Sequence, residues 1–341
     1  MIKASYQKIQ LEFKSPVLTT RGSMKHKNGY LLFITDGGKT GVGECSYIEG
    51  LSLDDLGRYT TKLDEVCYAI EHDNINEIDL NNYPSIRFGL ECAWLDFKRG
   101  GDRIFYSSDF TTGKKQIAIN GLVWMGSENF MHQQIEEKLK EGFSCIKLKV
   151  GAIDFEQELK LLASIRKRYD AKSIELRLDA NGAFCEDNVH KKLEQLATFD
   201  IHSIEQPIQP GQTALLQSLC KKPIIPIALD EELIHLSHQN NFDELGKIRP
   251  QYIILKPSLI GGFAVAEKWI QLAEKLNIGW WATSALESNI GLNAIAQWVY
   301  PLAGNTVQGL GTGILYTNNI SSPLYISHGH LGYNPNLKWD L

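Results

Sequence analysis

Long apolar runs are missing from this chain. No stretch approaches the ~20 apolar residues that a membrane-spanning helix needs. The opening residues, MIKASYQKIQLEF, lack the continuous apolar core of a secretory leader, so neither membrane insertion nor export is expected. Blocks of one charge are missing too. The 35 Lys and Arg and the 40 Asp and Glu are interspersed, and the net charge is −5. That balance argues against nucleic acid or an anionic membrane as the main partner and leaves small molecules. None of the six cysteines, at 45, 67, 92, 145, 185 and 220, forms a Cys-x-x-Cys pair. A thiolate zinc site and a redox dithiol are therefore not indicated. Several of them sit in apolar strings, where a thiol packs as a small hydrophobe, and a reduced, cytoplasmic setting is expected. No Gly/Ser linker divides the 341 residues, and no glycine fingerprint follows the first strand.

Two styles of text are present. Residues 1–112 read as an α+β unit: strands ASYQKIQLEF, GYLLFITD and KTGVGECS, then helices from Leu53 to Ile70 and Pro84 to Lys98. The Asp36-Gly37-Gly38-Lys39 run is a tight-turn signal. Residues 113–318 alternate short apolar strings with amphipathic stretches. The strings are QIAING, SCIKLKV, IELRLDA, HSIEQP, IPIALD, QYIILKP, IGWWATS and TVQGLG. Phe155, Leu159, Leu162, Ile165 and Tyr169 keep the three-and-four spacing of a helix face. Eight strand–helix repeats predict an α/β fold, a (β/α)8 TIM barrel, with the first 112 residues as an N-terminal capping domain. Residues 319–341 fit no further repeat and are expected to return toward the cap.

The strand ends carry charge in order. Lys147 and Lys149 end the second strand, Asp179 the third, Glu205 the fourth, Asp230 the fifth and Lys256 the sixth. The steps 179 to 205, 205 to 230 and 230 to 256 are 26, 25 and 26 residues, one βα unit each. Alone, each residue has a bland explanation: a Lys-x-Lys edge, an N-capping Asp, a surface Glu. In phase, they share one level at the C-terminal mouth of a barrel. Three converging carboxylates repel unless a cation joins them, and an all-oxygen set suits Mg²⁺ or Mn²⁺. Lysines on either side of such a metal suit proton abstraction next to a carboxylate. Like-charge crowding of Lys147 on Lys149 is expected to lower the pKa of the base.

The motifs KLK, LDAN, IEQP, LDE and LKPSLIGG resemble, in this order, those of the enolase superfamily in its muconate lactonizing enzyme-like subgroup. The resemblance spans essentially the whole chain. It implies that Asp179, Glu205 and Asp230 ligate Mg²⁺, that Lys149 is the base tuned by Lys147, and that Lys256 acts from the opposite face. It also implies substrate contacts from Arg177, Asn181 and Ser284. RLDAN, SALESNIG and GLGTG look like the menaquinone-pathway dehydratases of that subgroup, which implies syn-dehydration of a succinyl-hydroxycyclohexadiene carboxylate. Residues 307 to 313 hold no acid for a substrate ammonium, unlike the dipeptide epimerases. The loops 15 to 24 and 45 to 52 are expected to close the mouth. An N-acylamino acid racemase or a muconate cycloisomerase is the neighbouring alternative. A Schiff-base aldolase and a non-catalytic barrel are more distant ones.

Overall fold

The computed structural model describes residues 1–19, 22–124, 127–151 and 153–341. Strands β1 (Lys3–Thr19), β2 (Gly22–Asp36) and β3 (Lys39–Cys45) form an antiparallel sheet in that order. Asp36 pairs with Lys39 across a two-residue turn. Its centre needs φ of 58° at Gly37 and 97° at Gly38, a pair that glycine adopts without a Cβ clash. Helices α1 (Tyr59–Glu71) and α2 (Pro84–Arg99) cover one face. Helix α1 starts later than Leu53, because Asp55 caps a short 3-10 turn at Leu56–Arg58 first. Leu32, Ile34, Leu63, Val66 and Ile86 form the core of this unit.

Seven parallel strands follow: β5 (Gly121–Val123), β6 (Cys145–Lys149), β7 (Glu175–Asp179), β8 (Ser203–Glu205), β9 (Ile227–Leu229), β10 (Tyr252–Leu255) and β11 (Gly279–Ala282). They lie side by side in chain order. Helices α3 (Glu128–Lys140), α4 (Phe155–Arg168), α5 (Glu186–Ala197) and α6 (Thr213–Lys221) connect the first five. Then come α7 (Glu231–His238), α8 (Glu244–Ile248), α9 (Pro257–Ile260), α10 (Phe263–Lys275) and α11 (Asn289–Val299). The eighth expected strand exists only as backbone bridges. Gln308 pairs with Ile119 and Gly309 with Thr283, closing the curled sheet into a barrel. The buried Gln308 side chain reinforces that seam by accepting from the Ala282 N–H at 2.8 Å.

The first expected strand, QIAING, is divided. Ile117–Ala118 (β4) leaves the barrel and pairs with β13 (His330–Tyr333), itself paired with β12 (Leu324–Ser327). The C-terminal segment therefore meets the barrel at the N-terminal ends of its strands, where Ile119 N donates to Gly329 O, while Asn318 binds Gln10 and Glu12 of β1. Two acids of the first unit cap barrel helices. Glu44 accepts from Ser288 N, Ser288 Oγ and Gly291 N at the start of α11. Glu91 accepts from Phe263 N at the start of α10. A Cβ at Gly262 would fall 2.1 Å from Glu91 Oε2, so this approach requires the glycine.

Candidate active site

Strand register builds the floor of the site. Lys149 is paired with Asp179, and Asp179 with Glu205, on one rung of the parallel ladder. Neighbouring strands lie about 4.8 Å apart, so these side chains are forced together. Asp230 and Lys256 follow the last residues of β9 and β10. Asp230 occupies the N-cap position of α7 without making a side-chain capping bond, so the bland explanation for an acid at a strand end does not hold there.

Lysines thread the acids. Lys147 Nζ lies 2.9 Å from Asp179 Oδ2 and 2.6 Å from Glu205 Oε2. Lys149 Nζ donates to Asp179 Oδ2 at 2.9 Å and Asn181 Oδ1 at 2.6 Å. Lys256 Nζ donates to Asp230 Oδ2. All three acids are buried. Burial opposes ionisation of Asp179, but Lys147, Lys149 and Lys256 outweigh it and hold the carboxyl well below its usual range. Burial and then the neighbouring Asp179 push Glu205 far up. Burial opposes the charge on Lys147, yet Asp179, Glu205 and Asp230 outweigh it and raise the pKa. Lys256 is raised in the same way, chiefly by Asp230 against burial. Carboxylates, rather than like-charge crowding, thus govern Lys147.

The acids fit a hard divalent cation. Every donor is an oxygen, and the buried Glu205 Oε1 and Asp230 Oδ1 have no hydrogen-bond partner among the described residues. Two orphaned buried oxygens are costly unless something else binds them. As the side chains stand, closed on ammonium groups, no three His, Cys, Asp or Glu among the described residues form a ready metal cage.

A cavity of about 370 Å³ opens above this floor. Lys147, Lys149, Asp179, Asn181 and Lys256 line it from the barrel. Residues Gly22–Asn28 of β2 and Tyr47, Ile48, Glu49 and Leu51 wall it from the first unit. Of the expected closing loop 15 to 24, residues 15–19 belong to β1 and 22–24 to β2, while Thr20 and Arg21 lie outside the described residues.

The remaining expected contacts divide. Asn181, at φ 44°, holds Lys149 and donates to Glu231 Oε1 at 2.9 Å. Arg177 requires a correction: it is not on the cavity wall. Its Nε donates to Glu175 Oε1 at 2.7 Å, Nη1 donates to Val307 O, and its guanidinium stacks 4.2 Å over Trp281. Lys147 shares its rung and still reaches the cavity, so it is these ties to Glu175, Val307 and Trp281 that hold Arg177 away. Ser284 reaches the wall, but its hydroxyl donates to Glu287 and its N–H to Gly309 O, so both donors expected for a substrate carboxylate are taken. Glu231 was not anticipated. It lines the cavity next to Asp230, and burial, then Asp230, raise its pKa. The only signal was the second acid in LDEE.

Comparison with known proteins agrees with the fold. The Enolase C-terminal domain-like family matches residues 131–333, and the MenC N-terminal domain family matches residues 1–97. The o-succinylbenzoate synthase of Desulfotalea psychrophila is 44% identical over 97% of this chain and 99% of that protein. The crystal structure of MenC from the same organism superposes with a TM-score of 0.86 at 42% identity, covering 97% and 99% of the two chains. Muconate lactonizing enzyme from Pseudomonas fluorescens, at 21% identity and TM-score 0.78 over 99% and 96%, shares the fold.

Proposed function

This chain belongs to the enolase superfamily, in its o-succinylbenzoate synthase family, and we infer from that premise how its cavity works. The enzyme is a hydro-lyase of menaquinone biosynthesis. It converts 2-succinyl-6-hydroxy-2,4-cyclohexadiene-1-carboxylate to 2-succinylbenzoate and water. Enzymes of this superfamily generally use Mg²⁺. In this chain Asp179, Glu205 and Asp230 would hold it. Bound there, the cation supplies Lewis-acid stabilisation of the negative charge that develops on the substrate carboxylate.

The chain's own residues do the rest. Lys149 takes the proton from the ring carbon bearing the carboxylate, and Asn181 Oδ1 aims its Nζ. The C–H electron pair enters the ring system. The Lys149 ammonium then gives its proton to the departing hydroxyl on the same face, the C–O bond breaks, and water leaves an aromatic ring. Lys256, cationic and on the other side of the acids, stabilises the anion by charge and over the ring face. Lys147 keeps Asp179 and Glu205 together while they carry no cation. A dication held by Asp179, Glu205 and Asp230 would take up the carboxylate charge that now favours the protonated forms of Lys147 and Lys256.

The division of labour follows: residues 1–112 shape specificity, 113–318 carry the chemistry, and the enzyme acts in the cytoplasm on a small carboxylate. The observation that carries the reading is the rung joining Lys149, Asp179 and Glu205. Its test is spectroscopic. 2-Succinylbenzoate should form in Mg²⁺ and stop in EDTA. Full turnover in EDTA, or α-hydrogen exchange of N-succinylamino acids faster than dehydration, would overturn it.

A further inference from the structure

The floor of the cavity holds its cations in pairs with acids; the opposite wall holds one that is not. Lys27 of β2 is 5% exposed and lines the cavity. Its neighbours in sequence, Lys25 and His26, line it too but are exposed to solvent. An ammonium has three donors. That of Lys27 gives one hydrogen bond, to the buried Ser46 Oγ. Among the described residues no carboxylate oxygen forms an ion pair with it within the 4.0 Å limit of one. A buried cation with most of its donors unmet is costly.

The nearest acids are committed elsewhere. Glu44 takes three hydrogen bonds at the start of α11, where the helix dipole offsets its charge. Glu287 accepts from Ser258 Oγ, Ser284 Oγ and Ala285 N. Burial pushes the Lys27 ammonium down, and Glu44 and Glu287 offset only part of that. An anion arriving from the cavity would relieve both deficits.

The substrate has such an anion to offer. It carries two carboxylates, one beside the carbon that loses its proton and one at the end of the succinyl arm. The three floor lysines stand among Asp179, Glu205 and Asp230 and face the reacting end of the substrate, which leaves the second carboxylate to the opposite wall. Between floor and cap, Met24, Leu51, Leu122, Trp124 and Leu286 offer apolar surface to the ring and arm. We propose that Lys27, assisted by Ser46, binds the terminal carboxylate of the succinyl arm and so selects a dianionic substrate. This inference rests on the o-succinylbenzoate reading above.

The test compares 2-succinylbenzoate with its methyl ester at the succinyl end as ligands of the Mg²⁺-loaded enzyme. Wild type should bind the acid at least about tenfold more tightly than the ester, as expected for losing one partner of a buried charge pair. Lys27→Met should erase that preference by weakening the acid and not the ester, and Lys27→Arg should restore part of it. A wild type that forms 2-succinylbenzoate yet binds acid and ester equally overturns the proposal while the reaction stands, and this arm decides should Lys27→Met fail to fold. Equal loss of both ligands in Lys27→Met marks Lys27 as a counter-ion for Glu44 and Glu287 and also overturns it. A wild type that forms no 2-succinylbenzoate defeats the functional reading instead.

Discussion

The two sides of the cavity solve opposite problems. The barrel floor gathers like charges, and the ladder register makes that unavoidable: Lys149, Asp179 and Glu205 occupy one rung. Its answer is to interleave lysines with acids, leaving two carboxylate oxygens for something else. The cap wall carries Lys25, Lys27 and Glu49 and buries Lys27 against a serine hydroxyl. The chemistry proposed above draws on strand ends, and the proposed recognition on a hairpin backed by a separate core.

The largest break in this contrast is expected at the base. Lys149→Ala should lower dehydration by about 10³-fold, followed as the rise of product absorbance. Mg²⁺ should still raise the melting temperature of that variant, because the three acids remain; loss of that response would mean Lys149 organises the metal and not the proton. Next comes Lys147→Met. In EDTA it leaves Glu205 without its ammonium partner and Asp179 with Lys149 alone, and about 3–5 kcal/mol of stability should go. Saturating Mg²⁺ should return much of it. An equal deficit with and without Mg²⁺ in chemical denaturation would refute the idea that lysine and cation compete for the same acids. Glu205→Gln should abolish Mg²⁺ stabilisation, worth about 2.7 kcal/mol in wild type at a hundredfold excess over Kd; a thermal shift equal to wild type would remove Glu205 from the ligand set.

The smallest effect sharpens the cap side. Asp54 is buried, and burial pushes its carboxyl up to about 7, against hydrogen bonds from Ser85. Its folded value lies above the unfolded one, so the folded state binds more protons in between. Its contribution is therefore fullest below the unfolded value near 3.8, falls as pH rises, and is lost above about 7. Asp54→Asn should flatten the pH dependence of the melting temperature across that window. A slope identical to wild type would show that Asp54 does not titrate there.

Much of the floor was legible before any coordinates, because a barrel repeats its strand ends at the period of one βα unit. Residues 179, 205, 230 and 256 declare themselves by that period. The shared face of Arg177 and Asp179 was also legible. The partners of Arg177 were not, since alternation gives the face but not what a long side chain meets there, and Arg177 is tied to Glu175 and Trp281 while its rung-mate Lys147 reaches the cavity. Ser284 was placed at the right strand end, yet the fate of its hydroxyl depends on Glu287, which folds back from three residues on. Lys27 stayed hidden because it falls between the expected loop 15 to 24 and the expected strand GYLLFITD, in a polar run with no apolar signal of burial. TVQGLG was recognised as the closing segment, though it contributes isolated bridges where a strand was expected.

Glu44 and Glu91 have a consequence for recombination. Each is part of the first unit's sequence but completes the end of a barrel helix. A chimera that exchanged this unit for a relative's would leave α10 without its Glu91 cap and α11 with the Ser288 hydroxyl alone, unless the donor supplied both acids and the barrel kept Gly262 to admit one. The first unit is thus not a detachable accessory, because barrel helices depend on its acids, and the two parts are expected to melt in a single transition.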